Sequence, residues 1–186
     1  MITPRSIEII IDDIIRTEGG YVDDADDSGG KTCWGITESV ARSNGYKGDM
    51  RDLPKDFART IYYKKYVVLP SFDKILLIAP VVAYELVDSG VNAGTATATE
   101  WLQKALNALN KQGSLYPDLK VDGHAGSVTL SAMAAYLRAR GDEGERVLLV
   151  ALNCLQGAFY MDLSQRRQKD ESFVYGWLKN RVSAHV

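Results

Sequence analysis

The chain has 186 residues and a formal net charge of -2 at pH 7, with 46% apolar and 25% charged residues. This composition is typical of a globular protein and excludes the disordered, collagen-like and membrane-spanning classes. The slightly acidic balance argues against a nucleic-acid binder, because such proteins use Lys and Arg to neutralise phosphates. A chain of this length is expected to fold as a single domain, residues 1–186.

The first predicted element is an amphipathic helix. Apolar residues recur over residues 7–16 at the three- and four-residue spacing of a helix, and Gly19 and Gly20 then end it. Glu18 is therefore expected at a helix C-terminus. Because carboxylates interrupt this segment, it predicts neither a secretory signal nor a membrane anchor, and we expect a cytoplasmic protein without stable membrane insertion.

The rest of the chain is predicted to be mostly helical. Residues 31–36 form the one stretch that favours β structure, after a loop rich in Gly and Asp. Thr37 is expected to cap a helix that begins at Glu38. Further helices are predicted after Leu53-Pro54, from Pro80 through Asp88, from Thr95 or Thr99, over residues 127–138, over residues 143–163 behind a capping box of Asp142 and Glu145, and from Ser172. The fold class is therefore mainly α (α+β), with one small β-hairpin.

No metal or cofactor site is expected. Cys33 and Cys154 lack the spacing of metal ligands and are expected to be free thiols, and His124 and His185 have no nearby ligand partners in the sequence. Residues 122–126 are predicted to form a turn, and Gln103 on its apolar helix is expected to make structural hydrogen bonds.

The densest group of chemically distinctive residues lies at positions 18–37. A carboxylate at a helix C-terminus faces the negative end of the helix dipole, and any burial would also disfavour its charge, so both effects favour a protonated Glu18. A protonated carboxyl near neutral pH is what general-acid cleavage of a glycosidic bond requires. Glu18 is thus the candidate catalytic acid.

Glycoside hydrolysis commonly uses a second carboxylate. Asp27 stands directly before Ser28-Gly29-Gly30, where it is the best placed of the four loop aspartates to face Glu18 across a cleft. Tyr21 and Trp34 are candidates to stack on a sugar ring, although buried aromatic residues beside a small sheet are equally common.

The run Glu18-Gly19-Gly20-Tyr21, followed by residues 29–37 (Gly-Gly-Lys-Thr-Cys-Trp-Gly-Ile-Thr), resembles the glycoside hydrolase family 108 lysozymes, which are N-acetylmuramidases. The resemblance spans nearly the whole chain. It continues through Ile61-Tyr62-Tyr63 and Tyr66, and then through Asp88, Asn92, Gly94, Leu102-Gln103, Asp122-Gly123, Gly126, Thr129-Leu130, Phe173, Gly176-Trp177 and Arg181 of a peptidoglycan-binding region.

The resemblance implies a lysozyme-like fold with Glu18 as the catalytic glutamate and no cofactor. It implies cleavage of the β-1,4 bond between N-acetylmuramic acid and N-acetylglucosamine in bacterial peptidoglycan. The order Glu18, Asp27, Thr32 is similar to the catalytic triad of phage-type lysozymes, in which the Thr helps to hold water, although the step from Asp27 to Thr32 is one residue short. Asp88 and Asn92 are either substrate-binding residues or buried structural ones.

Many members of this family are phage endolysins, so the resemblance also implies a role in lysis. Residues 1–90 are expected to form the catalytic part, and residues 91–186 a peptidoglycan-binding part integral to the same fold. We expect a monomer that stays in the host cytoplasm until a holin-type pore releases it to the cell wall. Two rival interpretations are a lytic transglycosylase, which needs no second carboxylate, and a non-catalytic peptidoglycan-binding module.

Overall fold

The structure, a computed structural model, describes residues 6–23 and 31–182. Helices dominate this part of the chain, as the sequence predicts. The described residues divide into two compact units, one that ends at Leu69 and one that begins at Pro70. We describe each unit separately, and the predicted single domain of residues 1–186 stays a prediction.

The first unit begins with the predicted amphipathic helix, α1 (Ile7–Glu18). The Ser6 hydroxyl caps it by accepting from the Ile9 amide at 3.4 Å. The helix ends because Gly19 adopts φ 77°, a conformation that glycine tolerates without strain. The side chains of Ile7, Ile10, Ile11 and Ile15 are buried, which confirms the apolar face predicted from the spacing.

The predicted β region is a two-stranded antiparallel hairpin, β1 (Thr32–Cys33) and β2 (Ile36–Thr37). Trp34 and Gly35 connect the strands with φ values of 54° and 72°. Positive φ at both central residues is what a type I′ turn requires. Thr37 then caps α2 (Glu38–Ser43) as predicted, because its hydroxyl accepts from the Val40 amide at 3.3 Å.

The first unit closes with helical segments of three kinds. They are a 3₁₀ turn (Met50–Asp52), α3 (Lys55–Tyr63) and a π-helical turn (Lys64–Val68). Leu53 and Pro54 precede α3 as predicted, whereas no sequence signal predicted the π-helical turn. Such turns are rare and are frequent at functional sites.

Helices dominate the second unit in the part of the chain that the structure describes, and a loop over residues 110–126 separates two of them. They are α4 (Phe72–Leu76), α5 (Pro80–Ala93), α6 (Thr95–Leu109), α7 (Ser127–Arg166), a 3₁₀ turn (Gln168–Asp170), α8 (Glu171–Trp177) and a π-helical turn (Leu178–Val182). Pro80 opens α5 as predicted, but that helix continues past Asp88. Helix α4 was not predicted, because its 5 residues are too few to show a clear period.

Helix α7 contains the two helices that the sequence predicted. Gly141 interrupts its helical backbone with φ 60° and ψ -153°, and a kink results. The predicted capping box of Asp142 and Glu145 is wrong, because the Glu145 carboxylate does not bond within its own helix start. Glu145 Oε1 accepts instead from the Val81 amide of α5 at 3.1 Å, so this carboxylate caps a different helix.

One helix of the described chain, α7, is long and apolar enough to cross a membrane by length and composition alone. Its most apolar window has a mean hydropathy of 1.4, and 39% of that window is buried inside the protein. The core helix of a soluble protein has the same properties, so this is weak evidence for a membrane span.

Cys33 is buried and Cys154 exposed, and both are free thiols.

Candidate active site

Glu18 is the last residue of α1, and its side chain is exposed. Its position at the helix C-terminus is the predicted one. The burial that the sequence allowed for is not found, because the residue faces solvent. An exposed carboxylate at a helix end is free to meet a substrate.

The hairpin turn packs directly against Glu18. A Cβ atom at Gly35 would lie 2.7 Å from Glu18 Cγ and 2.8 Å from Glu18 Cβ. The same atom would lie 2.5 Å from the Tyr62 hydroxyl. A side chain at position 35 would have to displace Glu18 or the Tyr62 hydroxyl, so the glycine is what allows both to lie this close to the turn.

Two hydrogen bonds fix Trp34, the other residue of the turn. The buried Tyr62 hydroxyl donates to the Trp34 carbonyl at 3.0 Å. The indole Nε1 of Trp34 donates to the Leu53 carbonyl at 2.9 Å. Trp34 is half-buried and has a positive φ, which is strained for a large side chain. Its backbone and its ring are therefore both held in place beside Glu18.

The Tyr62 hydroxyl lies close enough to Glu18 to be affected by the charge of its carboxylate. Burial raises the pKa of the Tyr62 hydroxyl well above its usual range, and the negative charge of Glu18 raises this pKa further, as does Tyr66. The Tyr66 ring lies parallel to that of Tyr62, with an interplanar angle of 8° and centroids 6.2 Å apart. Tyr66 belongs to the π-helical turn, so this turn supports the residue that contacts the hairpin.

Tyr21, a predicted sugar-stacking residue, lies against a different partner. The Arg51 guanidinium stands 5.5 Å from the centroid of the Tyr21 ring, and the Tyr21 hydroxyl donates to Asp23 Oδ2 at 3.0 Å. The short segment from Arg51 to Leu53 thus contacts both predicted aromatic residues, Tyr21 through its cation and Trp34 through its carbonyl.

Thr32 lies between two extended neighbours. It pairs with Thr37 of β2 on one side and with Val22 on the other, where two backbone hydrogen bonds of 2.9 Å join Val22 and Thr32. Val22 follows Glu18 by four residues. Its pairing with Thr32 therefore places β1 close to the end of α1. Asp27, the predicted second carboxylate, lies outside the described residues, and its role stays a prediction.

Asp88 and Asn92 belong to α5 in the second unit. Asp88 is 9% exposed, and its Oδ2 accepts from Arg181 at 3.2 Å. The Asn92 amide donates to the Asp88 carbonyl of its own helix at 2.6 Å. These contacts favour the structural alternative for Asp88, while its predicted contact with substrate stays untested.

Asp88 borders a buried polar cluster that was not predicted from the sequence. Glu85 is 3% exposed, and its Oε1 accepts from Ser89 at 2.9 Å and from Gln156 at 3.0 Å. Burial raises the pKa of Glu85 to about 8, and the neighbouring charge of Asp88 contributes to that rise. A carboxyl at that depth is protonated at neutral pH and joins α5 to α7 by hydrogen bonds.

Neither Tyr62 nor Gly35 was identified as a site residue from the sequence. Both lie in segments that resemble the family, Gly35 beside Trp34 and Tyr62 in Ile61-Tyr62-Tyr63. This resemblance was the signal that could have identified them. Glu85 carried a weaker signal, a charged residue within an apolar helix.

Among residues 6–23 and 31–182 no three His, Cys, Asp or Glu side chains are grouped closely enough to hold a metal ion.

Comparison with known proteins finds two family matches along the chain. Residues 11–94 match the family model described as Glycosyl hydrolase 108, and residues 97–182 match the one described as Predicted Peptidoglycan domain. The boundary between the two matches lies close to the predicted boundary at residue 90, whereas the compact units divide at Leu69. No curated protein matches the chain significantly.

Among solved structures, one described as the structure of Brucella abortus SagA is similar. It shares 24% sequence identity with a TM-score of 0.58, and the match covers 94% of this chain and 88% of that one. This similarity confirms the fold class, mainly α and lysozyme-like with a two-stranded hairpin. Independently of this fold, the matches of residues 11–94 to glycosyl hydrolase family 108 and of residues 97–182 to the predicted peptidoglycan domain support a glycoside hydrolase that acts on peptidoglycan.

Proposed function

We propose that the protein is an N-acetylmuramidase that hydrolyses the β-1,4 bond between N-acetylmuramic acid and N-acetylglucosamine, with Glu18 as general acid. The observation that carries the proposal is the packing of Glu18 against Gly35 and Tyr62. This packing fixes the stem of an exposed carboxylate while its head faces solvent. A positioned but accessible acid is what proton donation to a bound glycan requires.

In this reaction Glu18 transfers its proton to the glycosidic oxygen as the bond from that oxygen to the muramic acid C1 breaks. Water then adds to C1, and its proton passes to a base. Asp27 is the proposed base, with Thr32 helping to hold the water. Carboxyl groups about 6.5–9.5 Å apart leave room for that water, whereas a separation of about 5–5.5 Å indicates direct attack on the sugar.

Tyr21 and Trp34 are proposed to line the path of the glycan. The Arg51 guanidinium lies over the Tyr21 ring, and the Leu53 carbonyl accepts a hydrogen bond from the Trp34 indole, so neighbouring residues hold both rings. Aromatic faces beside a carboxylate suit sugar rings, which present C–H groups to the π system. Trp34→Leu is expected to raise KM more than it lowers kcat, provided that thermal unfolding shows the turn to be intact.

The proposed base is tested by changing the loop aspartates one at a time. Asp27→Asn is expected to lower activity far more than Asp23→Asn, Asp24→Asn or Asp26→Asn. Each substitution removes the same single charge, so the other three serve as controls for the charge of the loop. Equal losses in all four variants would show that loop charge, rather than a catalytic base, matters.

We further propose that the protein acts as an endolysin, a monomer that reaches its substrate only after a holin-type pore opens the inner membrane. Expression in bacteria should then leave the culture turbid until a membrane-permeabilising agent is added. Spontaneous clearing without the agent would contradict the proposed dependence on a pore, but it would leave the hydrolytic activity itself intact.

A further inference from the structure

The second unit contains a cavity of about 260 Å³ that the Glu18 site does not use. Gln103 of α6, the loop residues Lys120, Asp122 and His124, and the first turn of α7 line it. All of these residues fall within the region that matches the predicted peptidoglycan domain. This volume lies near the lower end of the range of about 300–1,000 Å³ for drug-sized ligands, so the cavity is large enough for a group of amino-acid size.

One buried side chain holds the wall of this cavity in shape. Gln103 is 1% exposed, and its Oε1 accepts from the amides of Asp122 at 2.9 Å and Gly123 at 3.1 Å. Its Nε2 donates to Asp122 Oδ1 at 2.9 Å and to the His124 carbonyl at 3.1 Å. The predicted turn is confirmed, since Gly123 has φ 74° and Asp122 Oδ1 accepts from the His124 amide. The loop is therefore organised before any ligand binds.

The cavity presents charges of both signs. Hydrogen bonds from the Gln103 side chain and the His124 amide hold the pKa of Asp122 below its usual range, so this carboxylate is ionised at neutral pH. Asp122 and Lys120 are both exposed. Within the described residues, Asp122 Oδ2 has no hydrogen-bond partner and Lys120 no ion pair, so both charges are available to a ligand.

We propose that this cavity binds an amino-acid group that carries a free ammonium and a free carboxylate, as the diamino acid of a peptidoglycan peptide stem does. The ammonium pairs with Asp122 Oδ2, and the carboxylate pairs with Lys120 beside the imidazole of His124. A neutral sugar offers no charged group to either residue. The inference rests on the proposed function, because the peptide stem is attached to the glycan that the Glu18 site cleaves.

Titration of the full chain with a soluble stem tripeptide that ends in diaminopimelate tests the proposal. Nuclear magnetic resonance should show shift changes confined to residues 119–129 and to Gln103. Asp122→Asn preserves the oxygen that Gln103 and His124 bind and removes only the charge, and it should weaken the tripeptide Kd about fivefold or more. Lys120→Gln should have a similar effect, whereas Lys111→Gln, an exposed lysine outside the cavity, should have none.

The chemistry of the ligand is tested with two further probes. A tripeptide whose side-chain amine is acetylated should lose affinity, because its ammonium is gone. Acetate at the same concentration should produce much smaller shifts, because it supplies the carboxylate but no ammonium. Equal shifts with acetate, an undiminished affinity of the acetylated peptide, or equal losses in Lys111→Gln and Lys120→Gln would each overturn the proposal.

Kinetics on two substrates separate this proposal from the proposed function. On intact peptidoglycan Lys120→Gln should raise KM and leave kcat unchanged, and on glycan strands stripped of their peptides it should behave as the parent does. Cleavage of both substrates with equal KM by parent and variant would overturn the peptide site while the hydrolase stands. A parent that cleaves neither substrate, yet binds the tripeptide, would contradict the hydrolase instead.

Discussion

Gly35 lies so close to Glu18 that a Cβ atom at position 35 would stand 2.7 Å from Glu18 Cγ. The hairpin turn and the candidate acid are thus in direct contact, and the absence of a side chain at position 35 makes this contact possible. Any residue larger than glycine must displace Glu18, the turn or the Tyr62 hydroxyl.

Gly35→Ala is therefore expected to abolish most of the activity while the protein still folds. Its positive φ of 72° adds backbone strain of about 1–2 kcal/mol, which a loss of thermal stability will reveal. Gly45→Ala is the matched control, because Gly45 also has a positive φ, 91°, but nothing lies within 4 Å of its would-be Cβ. Equal activity of the two variants at equal stability would show that the contact with Glu18 is unimportant.

Tyr62→Phe removes the hydroxyl that donates to the Trp34 carbonyl. An unpaired carbonyl in this position costs about 1–3 kcal/mol, and the turn beside Glu18 loses its anchor. We expect a lower melting temperature and a fall in kcat. The exposed neighbour Tyr63 provides the control, since Tyr63→Phe should change neither quantity. A parental kcat in Tyr62→Phe would rule out a positioning role for the hydroxyl.

The buried carboxyl of Glu85 predicts how stability depends on pH. Its pKa of about 8 in the folded state lies above the ordinary value of 4.5, so the folded state holds a proton that the unfolded state releases. The contribution of Glu85 to the free energy of unfolding is therefore greatest below about pH 4.5. It falls as the pH rises towards 8, with a slope of up to about 1.4 kcal/mol per pH unit.

Glu85→Gln keeps the shape of this side chain and cannot ionise, so it should flatten the decline in stability between pH 5 and 8. Denaturant unfolding at several pH values measures the effect. Asp88, Arg181 and Tyr160 also face this cluster and remain in the variant. Glu143→Gln, at an exposed glutamate on α7, is the control and should retain the parental decline. An unchanged slope in Glu85→Gln would mean that Glu85 is not the titrating group.

Local sequence signals predicted several helix boundaries, because capping and chain reversal depend on few residues. Thr37 caps α2, Gly19 ends α1, and Pro80 opens α5. The same reasoning failed where a side chain reaches a distant segment. Glu145 has the spacing from Asp142 of a local capping box, yet its carboxylate accepts from the Val81 amide at the start of α5. Such a partner is set by tertiary packing, which sequence spacing does not encode.

The candidate site shows the same division. Glu18 was predicted from a helix end and a matched motif, whereas the contact of Gly35 and Tyr62 with Glu18 depends on how α3 packs against the hairpin. Asp88 was foreseen as a polar residue on an apolar helix, but its partner Arg181 lies 93 residues further along the chain. Composition and periodicity identify which residues are unusual, and only the folded chain shows what they contact.

The central claim is that Glu18 supplies the proton for hydrolysis of the glycan, and digestion of purified peptidoglycan followed by mass spectrometry tests it most directly. The parent should release fragments with hydrated muramic acid ends, and Glu18→Gln should lower their rate of release about 10²- to 10⁴-fold while Glu8→Gln, on the same helix, leaves it unchanged. Release by Glu18→Gln within about threefold of the parent would contradict Glu18 as the acid. Fragments with 1,6-anhydro ends from the parent would show a lytic transglycosylase instead of a hydrolase.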